Sequence, residues 1–394
     1  MKSNRIQRLL GQALATGLAL WLCGCSTPPV VAPAPVEPLF DDAGFGPPSQ
    51  QISAYQVMSM SPPMRQYLDD HIRPRQRRQL GREALLEALY TRSDLQLRYD
   101  ADSTRTAAEA FEARAGNCLS LVLMTAAFAE EMGLPYRIQS VQVGENWGRD
   151  GGLVMFMGHV NIALGRQAGG VRLADLLDDN LVVDFLPSAD LRHQITTPIS
   201  KARVLALYMN NKAAEALAQG QLDNAYWWAR SAVLQEPSLA MAINTLGVVH
   251  MRHGQLGLAG AALRQALAMD PDNRHPMSNL VQVLKLQGKD DEAQALEQRL
   301  RSLQVATAYG QYELGQAALR QGREREAQIH FERALRLDRT QHEFHFALAQ
   351  VLVHQGHYEA GARELALAQE HTGNERLKSA YAGKLQRLRE QLVQ

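Results

Sequence analysis

Three side chains in the middle of this chain have the types and the spacing that thiol chemistry requires. Cys118 opens a helical pattern that runs to about Met132, behind Asn117, whose short polar side chain caps a helix N-terminus. Free backbone N–H groups and the macrodipole at such a place favour negative charge, and the thiolate is the nucleophilic form of cysteine. A thiolate enzyme also needs a base to take the thiol proton and a group that orients that base. His159 follows 41 residues later on an expected strand, and Asp184 comes 25 residues after it on another. Neighbouring antiparallel strands would set these two side chains opposite each other, with the cysteine helix against the sheet edge. Asn161 shares the strand face of His159 and is expected to bind substrate. Trp147, in a glycine-rich loop from Gly144 to Gly152, either lines the cleft or anchors the loop by packing. Asp175, Asp178 and Asp179 compete with Asp184, and His193 competes with His159. A metal site of His159 with the loop aspartates lacks a second histidine at ligand spacing, so no metal and no other cofactor is expected.

The elements that must carry these residues follow from periodicity. Helical patterns cover 54–60, 63–72 and 81–89, followed by a short segment Leu95 to Tyr99. Two further helices are expected, Thr106 to Arg114 and Cys118 to Met132, separated by Gly116. Strands are expected over Tyr136 to Val143, Leu153 to Phe156, Gly158 to Leu164 and Leu181 to Phe185, with Pro187 closing the last. Helices followed by strands imply an α+β domain over 51–200, with its core at 100–187.

From Ala206 a repeat takes over. Gly220, Gly254, Gly288, Gly322 and Gly356 stand 34 residues apart, and five residues after each comes a small one: Ala225, Ala259, Ala293, Ala327 and Gly361. A helix-turn-helix of that length needs glycine at the turn and a small residue where its helices cross. The pattern resembles the tetratricopeptide repeat, which implies five units over 206–375, an all-α solenoid, and a capping helix at 376–394. By analogy with such arrays Asn210, Asn244, Tyr312 and Phe346 face a groove that takes a protein partner.

The other end of the chain reads as targeting. Lys2, Arg5 and Arg8 precede an apolar run from Leu9 to Leu22, too short for a comfortable membrane span. The following Cys23-Gly24-Cys25-Ser26 resembles a bacterial lipoprotein signal. By that resemblance residues 1–24 are a cleaved signal and Cys25 is lipidated, with the serine pointing to the outer membrane, on the periplasmic side. A proline-rich stretch over 25–50 reads as an extended tether. Of three cysteines only Cys118 then remains free in the folded part, which excludes a disulfide framework and a cysteine zinc site. Formal net charge is zero, and nothing in the charge pattern suggests a nucleic-acid partner.

Arg114-Ala115-Gly116-Asn117-Cys118 with Gly133-Leu134-Pro135, then Gly158-His159-Val160, then Val183-Asp184-Phe185, together resemble the transglutaminase-like superfamily of papain-type folds. The resemblance covers about residues 100–187. It implies Cys118 as nucleophile, His159 as general base and acid, and Asp184 as the residue that orients the imidazole. Val160 and Asn161 stand where that superfamily commonly carries an aromatic. The implied protein is a lipid-anchored periplasmic cysteine enzyme acting on peptide or amide bonds through a thioester, with repeats that recruit its partner or substrate. The rival expectation is a non-catalytic envelope scaffold that binds proteins through its repeats.

Overall fold

The computed structural model describes residues 34–49, 53–90, 95, 97–101, 103–141, 148–150, 153–155, 159–165, 180–185, 196–372 and 375–393. Cys25, Trp147, Asp175, Asp178, Asp179 and His193 lie outside them. From Val36 onward the chain forms one unit. Residues 36–49 depart from the expected tether. Two short 3-10 turns, Glu37–Leu39 and Asp42–Gly44, bend them into a strap across the start of the helical repeats. Val36, Leu39 and Phe45 are the reason: three apolar side chains among the prolines have a core to enter. Phe45 stacks on Tyr226 at 4.0 Å. Backbone groups of the strap are held as well, Gly46 N by Asp223 at 2.9 Å and Leu39 O by His250 Nε2 at 2.9 Å.

Helices α1 (Ala54–Val57), α2 (Pro62–Tyr67), α3 (Arg73–Gln76) and α4 (Gly81–Tyr90) lead into the α+β part, with one π-helical turn, Leu68–Ile72, between α2 and α3. Next comes β1 (Arg98–Tyr99), which pairs in parallel with β2 (Ala115–Gly116). Between them lies α5 (Ala107–Ala113), started by a capping box of Thr106 and Glu109 and ended by Arg114 in the left-handed conformation at φ 50°. Helix α6 (Cys118–Glu131) is apolar on every side and buries each residue from Leu119 to Ala129. An all-round apolar helix is a central helix, and the rest of the domain is built around it.

The sheet runs in the order β7 (Leu181–Val183), β6 (His159–Leu164), β3 (Tyr136–Val141), β8 (Thr196–Pro198), with antiparallel neighbours throughout. Registers place His159 opposite Val141, Asn161 opposite Gln139, and Ile162 opposite Val183. A separate hairpin is made by β4 (Gly148–Asp150) and β5 (Leu153–Met155). Strand β8 was not expected from its sequence. It is a short exposed edge whose proline needs no ladder donor.

The repeats are the helix pairs α7 (Lys201–Ala218) with α8 (Leu222–Gln235), α9 (Ala240–Arg252) with α10 (Leu256–Met269), and α11 (Arg274–Leu286) with α12 (Asp290–Val305). Two more pairs follow, α13 (Ala308–Arg320) with α14 (Glu324–Leu337) and α15 (His342–His354) with α16 (Tyr358–His371), and then α17 (Glu375–Val393). The five glycines at 34-residue spacing have φ between 71° and 85°, the left-handed helix end that favours glycine. Ala225, Ala259, Ala293 and Ala327 are fully buried where the paired helices meet. One core cluster runs without a break from Val36 and Leu39 through Met64, Leu123 and Ile162 to Tyr226, Leu246 and Ala266. The later repeats have smaller clusters of their own.

Candidate active site

Local sequence builds the cysteine's position. Asn117 caps α6, accepting from Ser120 N at 2.9 Å, and its amide donates to Thr104 Oγ1 at 2.8 Å. A Cβ on Gly116 would lie 2.6 Å from Ser120 Cβ, so the turn before Cys118 closes only on glycine. Arg105 braces the same turn, with its backbone N–H on Ser120 Oγ at 2.8 Å and its guanidinium on Asp100 at 2.7 Å. Cys118 is a free, half-buried thiol in the first turn of the helix.

The sheet supplies its partners. His159, the first residue of β6, is 4% exposed. Its Nε2 lies 2.8 Å from Asp184 Oδ1 and 2.7 Å from Oδ2, and the Asp184 side chain is wholly buried. Asp184 stands one residue past the end of β7 rather than within a strand. Phe185 beside it packs on Tyr90 at 5.4 Å, and the Tyr90 hydroxyl meets Thr125 of α6 at 2.8 Å. The helix that carries the thiol and the segment that carries the carboxylate are thus tied through one tyrosine.

The other imidazole nitrogen, Nδ1, is buried without a hydrogen bond of ordinary geometry. Burial works against charge on this ring. The Asp184 carboxylate and then the Cys118 side chain outweigh it and push the imidazole up to about 9. Nε2 is taken by the Asp184 carboxylate, and Cys118 is among the groups that raise the ring's affinity for a proton. Such a set can move a proton between sulfur and imidazole and hold the charged ring in place.

Asn161, expected to bind substrate, is 2% exposed, and its Nδ2 donates to Asp184 Oδ2 at 3.4 Å. Tyr99 lies near enough to the site to feel its charges, a placement its sequence does not suggest. Tyr99 is 37% exposed, and partial burial first, then the charges of Cys118 and Asp184, push its phenol up. The signal was long-range: Tyr99 reaches the site only because β1 pairs with Gly116. Among the described residues, no group of three histidine, cysteine, aspartate or glutamate side chains is arranged to hold a metal ion. None of their helices is long and apolar enough to cross a membrane.

In the repeats, Asn244 accepts from Asn279 Nδ2 at 2.9 Å, and Asn210 is buried with its Oδ1 unpaired. Tyr312 packs on Phe344 at 5.1 Å, and Phe346 on Tyr381 at 5.0 Å.

Residues 308–341, which span α13, α14 and the turn after them, match the family model described as tetratricopeptide repeat. The chain carries a tetratricopeptide repeat. No curated protein matches it. Among solved structures it is similar to pilF of Pseudomonas aeruginosa, at 24% identity over 48% of this chain and 85% of that one, with a TM-score of 0.30. It is similar to YrrB, titled a TPR protein with an unusual peptide-binding site, at 19% identity over 45% and 92% of the two chains, TM-score 0.24. It is also similar to MamA of Desulfovibrio magneticus RS-1, at 17% identity over 42% and 94%, TM-score 0.25.

Proposed function

We propose that this chain is a protein-binding repeat protein, whose solenoid holds an envelope protein or a peptide along the first helices of its units. The observation that carries this is the tetratricopeptide match at 308–341, set within five helix pairs of one period. Stacked helix pairs present an extended concave surface, and tetratricopeptide arrays use it to bind protein. Asn244 and Tyr312 stand at the same phase of their helices and are the expected contact residues. The test is affinity capture by the full chain and by Asn244→Ala and Tyr312→Ala. The same captured protein should be reduced or lost with both variants. Undiminished capture by both would contradict the groove as the binding surface.

A second reading is favoured by one specific observation, the buried His159–Asp184 pair beside the Cys118 thiol. In this reading the α+β part is a transglutaminase-like cysteine enzyme acting on peptide or amide bonds, and the repeats deliver its substrate. The thiolate attacks the carbonyl carbon, and the imidazolium of His159 gives its proton to the departing amine. The resulting thioester then passes its acyl group to water or to an amine, with His159 as base. Its test is p-nitrophenyl acetate with the full chain. An acetyl group on Cys118, slowed in His159→Ala, supports the reading, and equal acetylation of the two proteins contradicts it.

The anchor belongs to the same proposal. Lipidation at Cys25 would hold the protein at the outer membrane, facing the periplasm. Cys25→Ala should then move it from the membrane to the soluble fraction, and an unchanged distribution would contradict the anchor.

A further inference from the structure

The environment of Asn161 points toward Asp184. The register that sets Ile162 opposite Val183, carried on by one residue, brings Asn161 opposite Asp184. There its Nδ2 donates to Oδ2 of the carboxylate at 3.4 Å, while His159 Nε2 occupies the same oxygen at 2.7 Å and Oδ1 at 2.8 Å. The other half of the carboxamide has no such use. Asn161 Oδ1 is buried and meets no donor, in a residue 2% exposed. An acceptor left dry in this way opposes folding, and a leucine of similar volume would remove the penalty. What the asparagine supplies that a leucine lacks is an N–H aimed at the carboxylate.

We infer that Asn161 is a positioning residue, whose amide holds the Asp184 carboxylate square to His159 Nε2 and so fixes the imidazole. The inference rests on the cysteine-enzyme reading above and extends the Cys118–His159–Asp184 line by a fourth member. Asn161 acts through Asp184, to which its Nδ2 is bonded, while its Oδ1 meets no donor. A carboxylate free to turn about its last bond would share its two oxygens less well with the imidazole. Part of the pull that keeps the ring charged beside the thiol would go with it.

The experiment compares the full chain with Asn161→Leu, Asn161→Ala and His159→Ala. Two quantities are read: the midpoint of the His159 ring titration by NMR, and the rate of Cys118 alkylation by iodoacetamide at pH 7. In Asn161→Leu the midpoint should fall by about one unit and alkylation by about tenfold. The thermal unfolding temperature should hold or rise, a combination that a purely space-filling asparagine would not give. Asn161→Ala should move the first two quantities the same way, and it serves where leucine fails to pack. A folded variant with unchanged midpoint and rate overturns the inference alone. If His159→Ala is alkylated at the full rate of the unaltered chain, the cysteine-enzyme reading fails and the inference falls with it.

Discussion

His159 is a strand residue in one environment and an acid–base group in another, and what decides between them is Asp184. A buried imidazole with no partner would stay neutral. Against the Asp184 carboxylate and Cys118 it is pushed up to about 9. The consequence for stability has a definite sign. A histidine whose value is higher in the folded state than the ordinary 6.5 or so contributes stability that is complete below that value. That stability is lost as pH rises through about 9. The thermal midpoint of the protein should therefore fall between pH 6.5 and 9 more steeply than that of His159→Gln, read by calorimetry across that range. Parallel curves would contradict a charged His159. The sequence already pointed to Cys118, His159 and Asp184, because residue type and a helix start are local properties. The bond from Asn161 to Asp184 and the pairing that sets Tyr99 beside Gly116 are not legible in the same way, because each depends on strand register rather than on residue type.

Elements divide in the same way. Helix α6 and the 34-residue units were legible because apolar runs and glycine spacing report on structure within one turn or one hairpin. The docking of the strap was not, because Phe45 finds its ring partner in Tyr226, on the far side of the α+β part in sequence. Nor was β8, an edge of three residues with no apolar alternation. Within the repeats two kinds of glycine look alike in sequence and differ in cause. Gly322 has φ 71° and nothing within 4 Å of a would-be Cβ, so its need is conformational. Gly315 sits inside α13, where a Cβ would lie 2.5 Å from Cε1 of the fully buried Phe331. Gly315→Ala should cost about 1–3 kcal/mol by overpacking, and Gly322→Ala about 1 kcal/mol by left-handed strain. Replacing Phe331 by leucine should relieve the first loss and leave the second untouched. Denaturant midpoints of the single and double variants check both, and equal response to Phe331→Leu would show the distinction to be mistaken.

Across the whole molecule the α+β part and the first repeats are one body. Glu215 of α7 accepts from Thr104 N at 2.6 Å, and Thr104 in turn receives the amide of the cap residue Asn117. The cysteine's helix start is therefore braced by the solenoid, and the strap residues Val36, Leu39 and Phe45 join the same core. From α10 on the apolar clusters are small and separate. Stability in such an array follows nearest-neighbour packing, so openings should be local at the far end and collective near the site. Hydrogen exchange should show α13–α17 opening at lower free energy than α6, α8 and α9, and one common rate throughout would contradict that division. Binding at the distal repeats would then act on a flexible arm, while the thiol stays in the rigid part. The most direct measurement of that thiol is its rate of alkylation by iodoacetamide at pH 7 in the unaltered chain, in His159→Ala and in Asp184→Asn. A paired thiol and imidazole predict a fast reaction that both substitutions slow by about tenfold or more. Three equal rates, no faster than a free cysteine, would show that Cys118 is only a half-buried side chain at the start of a helix.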